Sequence, residues 1–234
     1  MRSLFWKEWH EQRWKLAFGA LILVGFSVIG LRARVIADET MLEAVCFLAV
    51  PLLSVLSSTG LVPAEREEGT LQTLLALPVR PSLIFAMKAV IGILLCAVPL
   101  VVAAIASMAI AGGREISAAS IIELHLRTLA ATLALFFWML ALTVRLPTET
   151  RAALVTMGVL IMWMIVTVGL PQGWNPQMVS SRFWLVDPLV FLLGFRNGKW
   201  GVSLALAAAL QAIIALALWL WAAWQFPRPL EARS

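Results

Sequence analysis

Residues 83–110 read LIFAMKAVIGILLCAVPLVVAAIASMAI, a run in which Lys88 is the one charged side chain. A helix of about 20 residues, rising roughly 1.5 Å per residue, crosses a hydrocarbon core of about 30 Å, so this run is long enough to span a bilayer. Working outward from it, further apolar runs occupy residues 16–31, 44–62, 129–144, 152–170 and 201–224, each bounded by charged or turn-forming residues. The fold class read from this pattern is all-α integral membrane, with six transmembrane helices in one domain over residues 1–234. Pro51 and Pro99 lie inside two of the spans and predict kinks there.

Composition agrees with lipid as the solvent. With 62% hydrophobic and 13% charged residues, a water-soluble domain would lack the polar surface to cover itself. The net charge of +5 raises the question of nucleic acid, but Lys and Arg occur one to four at a time between apolar runs and form no basic stripe. Charges so placed orient membrane helices and meet anionic lipid head groups, which makes lipids a partner and nucleic acid none. Cys46 and Cys96 both lie inside apolar runs and read as packing residues. Residues 1–15 lack the small-residue cleavage site of a secretory signal, so the first run is read as a retained span and the mature chain as beginning near Met1.

Residues 1–15 also place Phe5, Trp6, Trp9 and Trp14 opposite Lys7, Glu8, Glu11 and Lys15, the pattern of an interfacial helix with rings at head-group depth. Six spans put both termini on one side. That side collects Arg2, Lys7, Arg13, Lys15, Arg66, Arg80, Lys88, Arg145, Arg151, Arg228 and Arg233, eleven of the 18 basic residues, and the positive-inside rule makes it cytoplasmic. Residues 171–200 are too apolar for an ordinary loop. Residues 183–195, broken by Asp187-Pro188, are too short to cross and read as re-entrant outer helices, with Trp174, Trp184 and Trp200 at the interface.

The cytoplasmic loop 63–82 carries the most information. It reads Ala64-Glu65-Arg66-Glu67-Glu68-Gly69-Thr70-Leu71-Gln72-Thr73-Leu74-Leu75-Ala76-Leu77-Pro78-Val79. Acidic residues end at a glycine, Thr70 can cap a new helix, and Leu71, Leu74 and Leu75 recur at helical spacing before Pro78 stops it. The leucine ridge of this short amphipathic helix could lie against lipid, against its own bundle, or in a groove on a partner protein.

The pattern Glu-Arg-Glu-x-Gly-Thr-Leu-x-x-Leu-Leu-x-x-Pro resembles the loop after the second span in permeases of the ABC-2 transporter family. Leu4-Phe5-Trp6-Lys7-Glu8-Trp9 is similar to their opening interfacial elbow helix, and the layout of spans is similar throughout. Gln72 departs from the pattern, standing where the family often has an acidic residue. The resemblance implies a permease subunit, dimeric with a second copy or a paralogue, that exports a substrate in the inner membrane while a separate ABC ATP-binding subunit hydrolyses ATP. The ATPase-coupling residues it implies are Glu65, Arg66, Glu67, Glu68, Gly69, Thr70, Leu71, Leu74 and Leu75, the acids docking on the ATPase and the leucines entering its groove. A solvated acidic turn is the plainer reading of the acids. The sequence holds no G-x-x-x-x-G-K-[ST], so no cofactor is assigned to this chain and ATP belongs to the partner.

Glu123, His125 and Arg127 invite a relay or substrate contact but read first as a solvated helix start after the turn Ile121–Arg127. His10 and His125 fall on opposite membrane faces, which disfavours a histidine metal site. Ser54, Ser57, Ser58 and Thr59 fit helix packing better than a pathway. Met157, Met162, Met164 and Trp163 read as lipid-facing filler. A polytopic membrane enzyme, a protease or lipid transferase, would need a nucleophile and base or paired acids at one depth, and the spans contain no G-x-S-x-G, no paired acids and no histidine. A membrane scaffold or immunity protein is the third class.

Overall fold

The computed structural model describes residues 2–33, 38–111, 116–165 and 204–228. These form eight helices and no strand: α1 (Arg2–Ala33), α2 (Asp38–Thr59), α3 (Pro63–Glu67), α4 (Thr70–Leu75), α5 (Pro81–Ala111), α6 (Ala118–Thr143), α7 (Glu149–Met164) and α8 (Leu204–Gln225). Among the described residues, five helical stretches are long and apolar enough to cross a membrane: Phe5–Arg32, Asp38–Glu67, Pro81–Ala111, Ala118–Thr143 and Leu206–Gln225. The fifth expected span, 152–170, is represented by the 16 residues of α7. The rest of it, and the outer segment expected at 171–200, lie outside the described residues.

Two boundaries differ from the sequence reading. Residues 1–15 do not form a helix separate from the first span. α1 runs unbroken for 32 residues, since Arg13-Trp14-Lys15-Leu16-Ala17 contains neither Gly, Pro nor a capping residue to stop it. Residues 121–127 are helix rather than turn. Ser117 caps α6 by accepting from the Ser120 amide at 3.0 Å, which starts the helix before Ile121. α2 and α5 continue through Pro51 and Pro99.

α1 packs most extensively on α5, and α2 on α6. The α1–α5 pair keeps one register over much of its length: Glu8 meets Lys88, and Gly19 approaches Pro99, in both cases 80 residues apart. A constant offset means that the two helices run parallel. Closeness at α5–α6 comes from Gly92, whose missing side chain admits the Phe136 ring. The α2–α6 seam is polar but internally satisfied. Ser54 donates to the carbonyls of Val50 and Thr132 at 2.6 and 3.1 Å, and Thr143 to that of Ser58 at 3.4 Å. These hydroxyls pack helices, as read from the sequence, and leave little polarity free to line a path.

Candidate functional site

The loop between α2 and α5 folds into α3 and α4, joined through Gly69 at φ 72°, the left-handed conformation that an L side chain adopts with strain. Gly69 occupies the cap position of α4. Thr70, read from the sequence as the cap, is instead the first helical residue, and its hydroxyl donates to the Glu65 carboxylate.

Glu65 is the keystone of this end of the bundle, at 4% exposure. It accepts from Lys7 of α1 and from Lys88 of α5, each at 3.2 Å. Lys88, at 1% exposure, also reaches Glu8 of α1, itself 1% exposed, and Lys7 reaches Glu11 at 3.5 Å. Carboxylate oxygens of Glu8, Glu11 and Glu65 come within 4.8 Å of one another. The ammonium groups of Lys7 and Lys88 sit against them where a metal ion would otherwise be needed to offset the charge. Burying Glu8, Glu65 or Lys88 alone would cost several kcal/mol, so these three stand only together.

Around the network the same end is tied at further points. Gln12 donates to the Gly60 carbonyl at 3.0 Å. Lys15 pairs with Glu149 at 2.5 Å, and the Glu149 amide at the start of α7 donates to Glu67 at 2.8 Å. Arg66 donates to the Phe226 carbonyl at 3.4 Å, and Arg145 to the Gln225 side chain at 3.1 Å. The loop is thereby fixed to α1, α5, α7 and the end of α8.

The predicted coupling residues divide into two faces. Leu71 is buried in this chain's own core, in one cluster with Ile84, Phe85 and Phe226, with Leu75 half-buried against it, and Leu74 is buried as well. The ridge thus packs on the bundle, the second of the three options open from sequence. Glu65, Arg66 and Thr70 hold the loop down from beneath. Glu67, Glu68 and Gly69 are exposed, together with Gln72, Thr73 and Ala76, which the sequence reading left out. Their signal was present in the same helical period: the face opposite a buried leucine ridge must be the outer one.

The other candidates do not assemble into a site. Arg127 pairs with Glu123, while His125 turns inward and its Nδ1 lies 2.8 Å from the Ile121 carbonyl. Met157 and Met162 face outward, consistent with lipid-facing filler.

Gly60 is a sensitive point of the tie. A Cβ there would stand 2.0 Å from Lys15 Nζ and 3.2 Å from Gln12 Oε1. Gly60→Ala is expected to push Lys15 off Glu149 and weaken the Gln12 bond, a loss of about 1 kcal/mol. In detergent melts, a Lys15→Ala background should absorb most of that loss. Full additivity of the two substitutions would show that they act independently.

Comparison with curated proteins finds no match. A family profile described as ABC-2 family transporter protein matches residues 11–183, about three quarters of the chain, including all of the loop just described. A membrane chain of apolar helices that matches this profile from within α1 to past the end of α7 belongs to the ABC-2 family of transporter proteins.

Proposed function

We propose that the chain is the permease subunit of an ATP-binding cassette exporter, paired with a second permease copy or paralogue in the inner membrane with both termini cytoplasmic. ATP is bound and hydrolysed on a separate subunit. The observation that carries the proposal is the two-faced loop: α3 and α4 are anchored from beneath by a buried ion network, while Glu67, Glu68, Gly69, Gln72, Thr73 and Ala76 stay exposed. A docked ATPase pushing on that outer face would move a rigid element joined to α1, α5 and α7. Motion at the docking surface and motion in the bundle then become one coupled equilibrium. Glu65, Arg66, Thr70, Leu71, Leu74 and Leu75 serve as the mounting, and Glu67, Glu68 and Gly69 as contact residues.

The test is affinity purification of the tagged chain from mild-detergent membranes, with assay of ATP hydrolysis in what co-purifies. Gln72→Arg/Thr73→Arg alters the exposed face and spares the buried leucines, so it should cut recovery of the ATPase by roughly tenfold while the bundle melts as before. Recovery of no ATPase with either form would sink the reading.

A further inference from the structure

At the end of α8 three arginines gather, none of them paired with an acid among the described residues. Arg66 reaches the Phe226 carbonyl, Arg145 the Gln225 amide group, and Arg228 lies over the Trp224 ring, 3.2 Å from its centroid. Arg145 is near enough for its charge to repel that of Arg66. Among the described residues none of the three has a carboxylate within ion-pair distance, and the buried Nε of Arg66 has no hydrogen-bond partner. Elsewhere at this end of the bundle, Lys7, Lys15 and Lys88 are all paired with acids.

Arg66 and Arg228 line a cleft of about 380 Å³ whose remaining walls include Leu71, Gln72, Leu75 and Pro147. The cleft is therefore cationic at one rim and apolar within. Arg66 stands at the end of the stretch Asp38–Glu67 and Arg228 just past Leu206–Gln225, which puts the cleft near head-group level, with the exposed Trp224 ring under Arg228. From it a track of exposed apolar side chains leads into the membrane along one face of α8: Trp224, Leu220, Leu216 and Ile213. Their spacing of three or four residues keeps them in line.

We propose that this cleft is a binding site for the phosphate head group of an anionic phospholipid, with Arg66 and Arg228 on the phosphate and an acyl chain along the α8 track. A guanidinium offers several donors to a phosphate in fixed geometry, and arginines between helices at the membrane surface, with no acid paired to them among the described residues, supply the charge that such lipids seek. The cleft shares Gly69 and Gln72 with the proposed docking face, but the lipid is measured on the chain without any ATPase, so the lipid assay and the co-purification assay can fail separately.

The experiment is native mass spectrometry of the delipidated full chain, titrated with phosphatidylglycerol, with phosphatidylcholine of equal chain length, and with inorganic phosphate. Phosphatidylglycerol is expected to stay bound at concentrations roughly tenfold lower than phosphatidylcholine. Arg66→Gln/Arg228→Gln should erase that preference, and the control Arg80→Gln/Arg151→Gln, at exposed positions away from the cleft, should keep it. If the double substitution melts early, Arg228→Gln alone, whose described side-chain contact is the Trp224 ring, should reduce the preference roughly threefold. An undiminished preference in the cleft variants, equal loss in the control pair, or displacement of the lipid by millimolar inorganic phosphate would each overturn the proposal. The last would mean a site for a free anion.

Discussion

Lys88→Met unfolds this protein's loop end: the expected loss is about 3–5 kcal/mol, because Glu8 and Glu65 are left buried with their shared cation gone. Methionine nearly matches the shape of the lysine stem, so the loss reads charge and not volume. In detergent the melting temperature should fall by roughly 10 °C, and amide exchange across residues 63–76 should rise first, since Glu65 fastens that stretch. Adding Glu8→Gln and Glu65→Gln to Lys88→Met should recover most of the loss, because the stranded charges are then removed. A Lys88→Met protein that melts like the parent would show the network to be ornamental.

Gly92→Val is the second large effect. A Cβ at Gly92 would lie 2.4 and 2.6 Å from two Phe136 ring carbons and 2.9 Å from a Leu61 methyl. Phe136 is fully buried, with Leu140 and Phe85 in the same core, so the ring has no free space to enter. Valine adds two methyl groups to that overlap, and the expected loss is about 3 kcal/mol, the upper range for overpacking. Phe136→Leu in the same chain should return part of the stability while costing stability by itself. If the two losses simply add, the steric account fails.

How far the sequence could be read depended on whether a feature was local. Spans were legible because lipid demands a long apolar run whatever its neighbours: α2, α5 and α8 fall where hydropathy put them, and α6 ends there but starts eleven residues earlier. The short helix after Gly69 was legible from its leucine period and from Pro78. Glu8 was not. Helical periodicity grouped it with Lys7, Glu11 and Lys15 on the water face, but its partner lies 80 residues away, and the parallel packing of α1 on α5 turns Glu8 inward. Lys88 carried a better signal, a lone charge in an apolar run, which calls for a counter-ion. The sequence could not supply its identity. The leucine ridge was read as a choice among lipid, bundle and partner, and tertiary packing chose the bundle. The same choice moves the proposed contact from the leucines to Gln72, Thr73 and Ala76 on the opposite face, beside Glu67 and Glu68.

The ion network also has a consequence for biogenesis. Glu8, Glu11 and Glu65 leave the ribosome before Lys88, and a chain that has emerged only as far as Arg80 presents three carboxylates with Lys7 as the one ammonium of the cluster. Insertion of α1 and α2 cannot close that end, because burial of Glu8 and Glu65 waits for a cation carried by the third span. The first helix is thus held in an uncommitted position until α5 arrives beside it. Released chains truncated before Pro81 should remain open to membrane proteases, and those truncated after α5 should not.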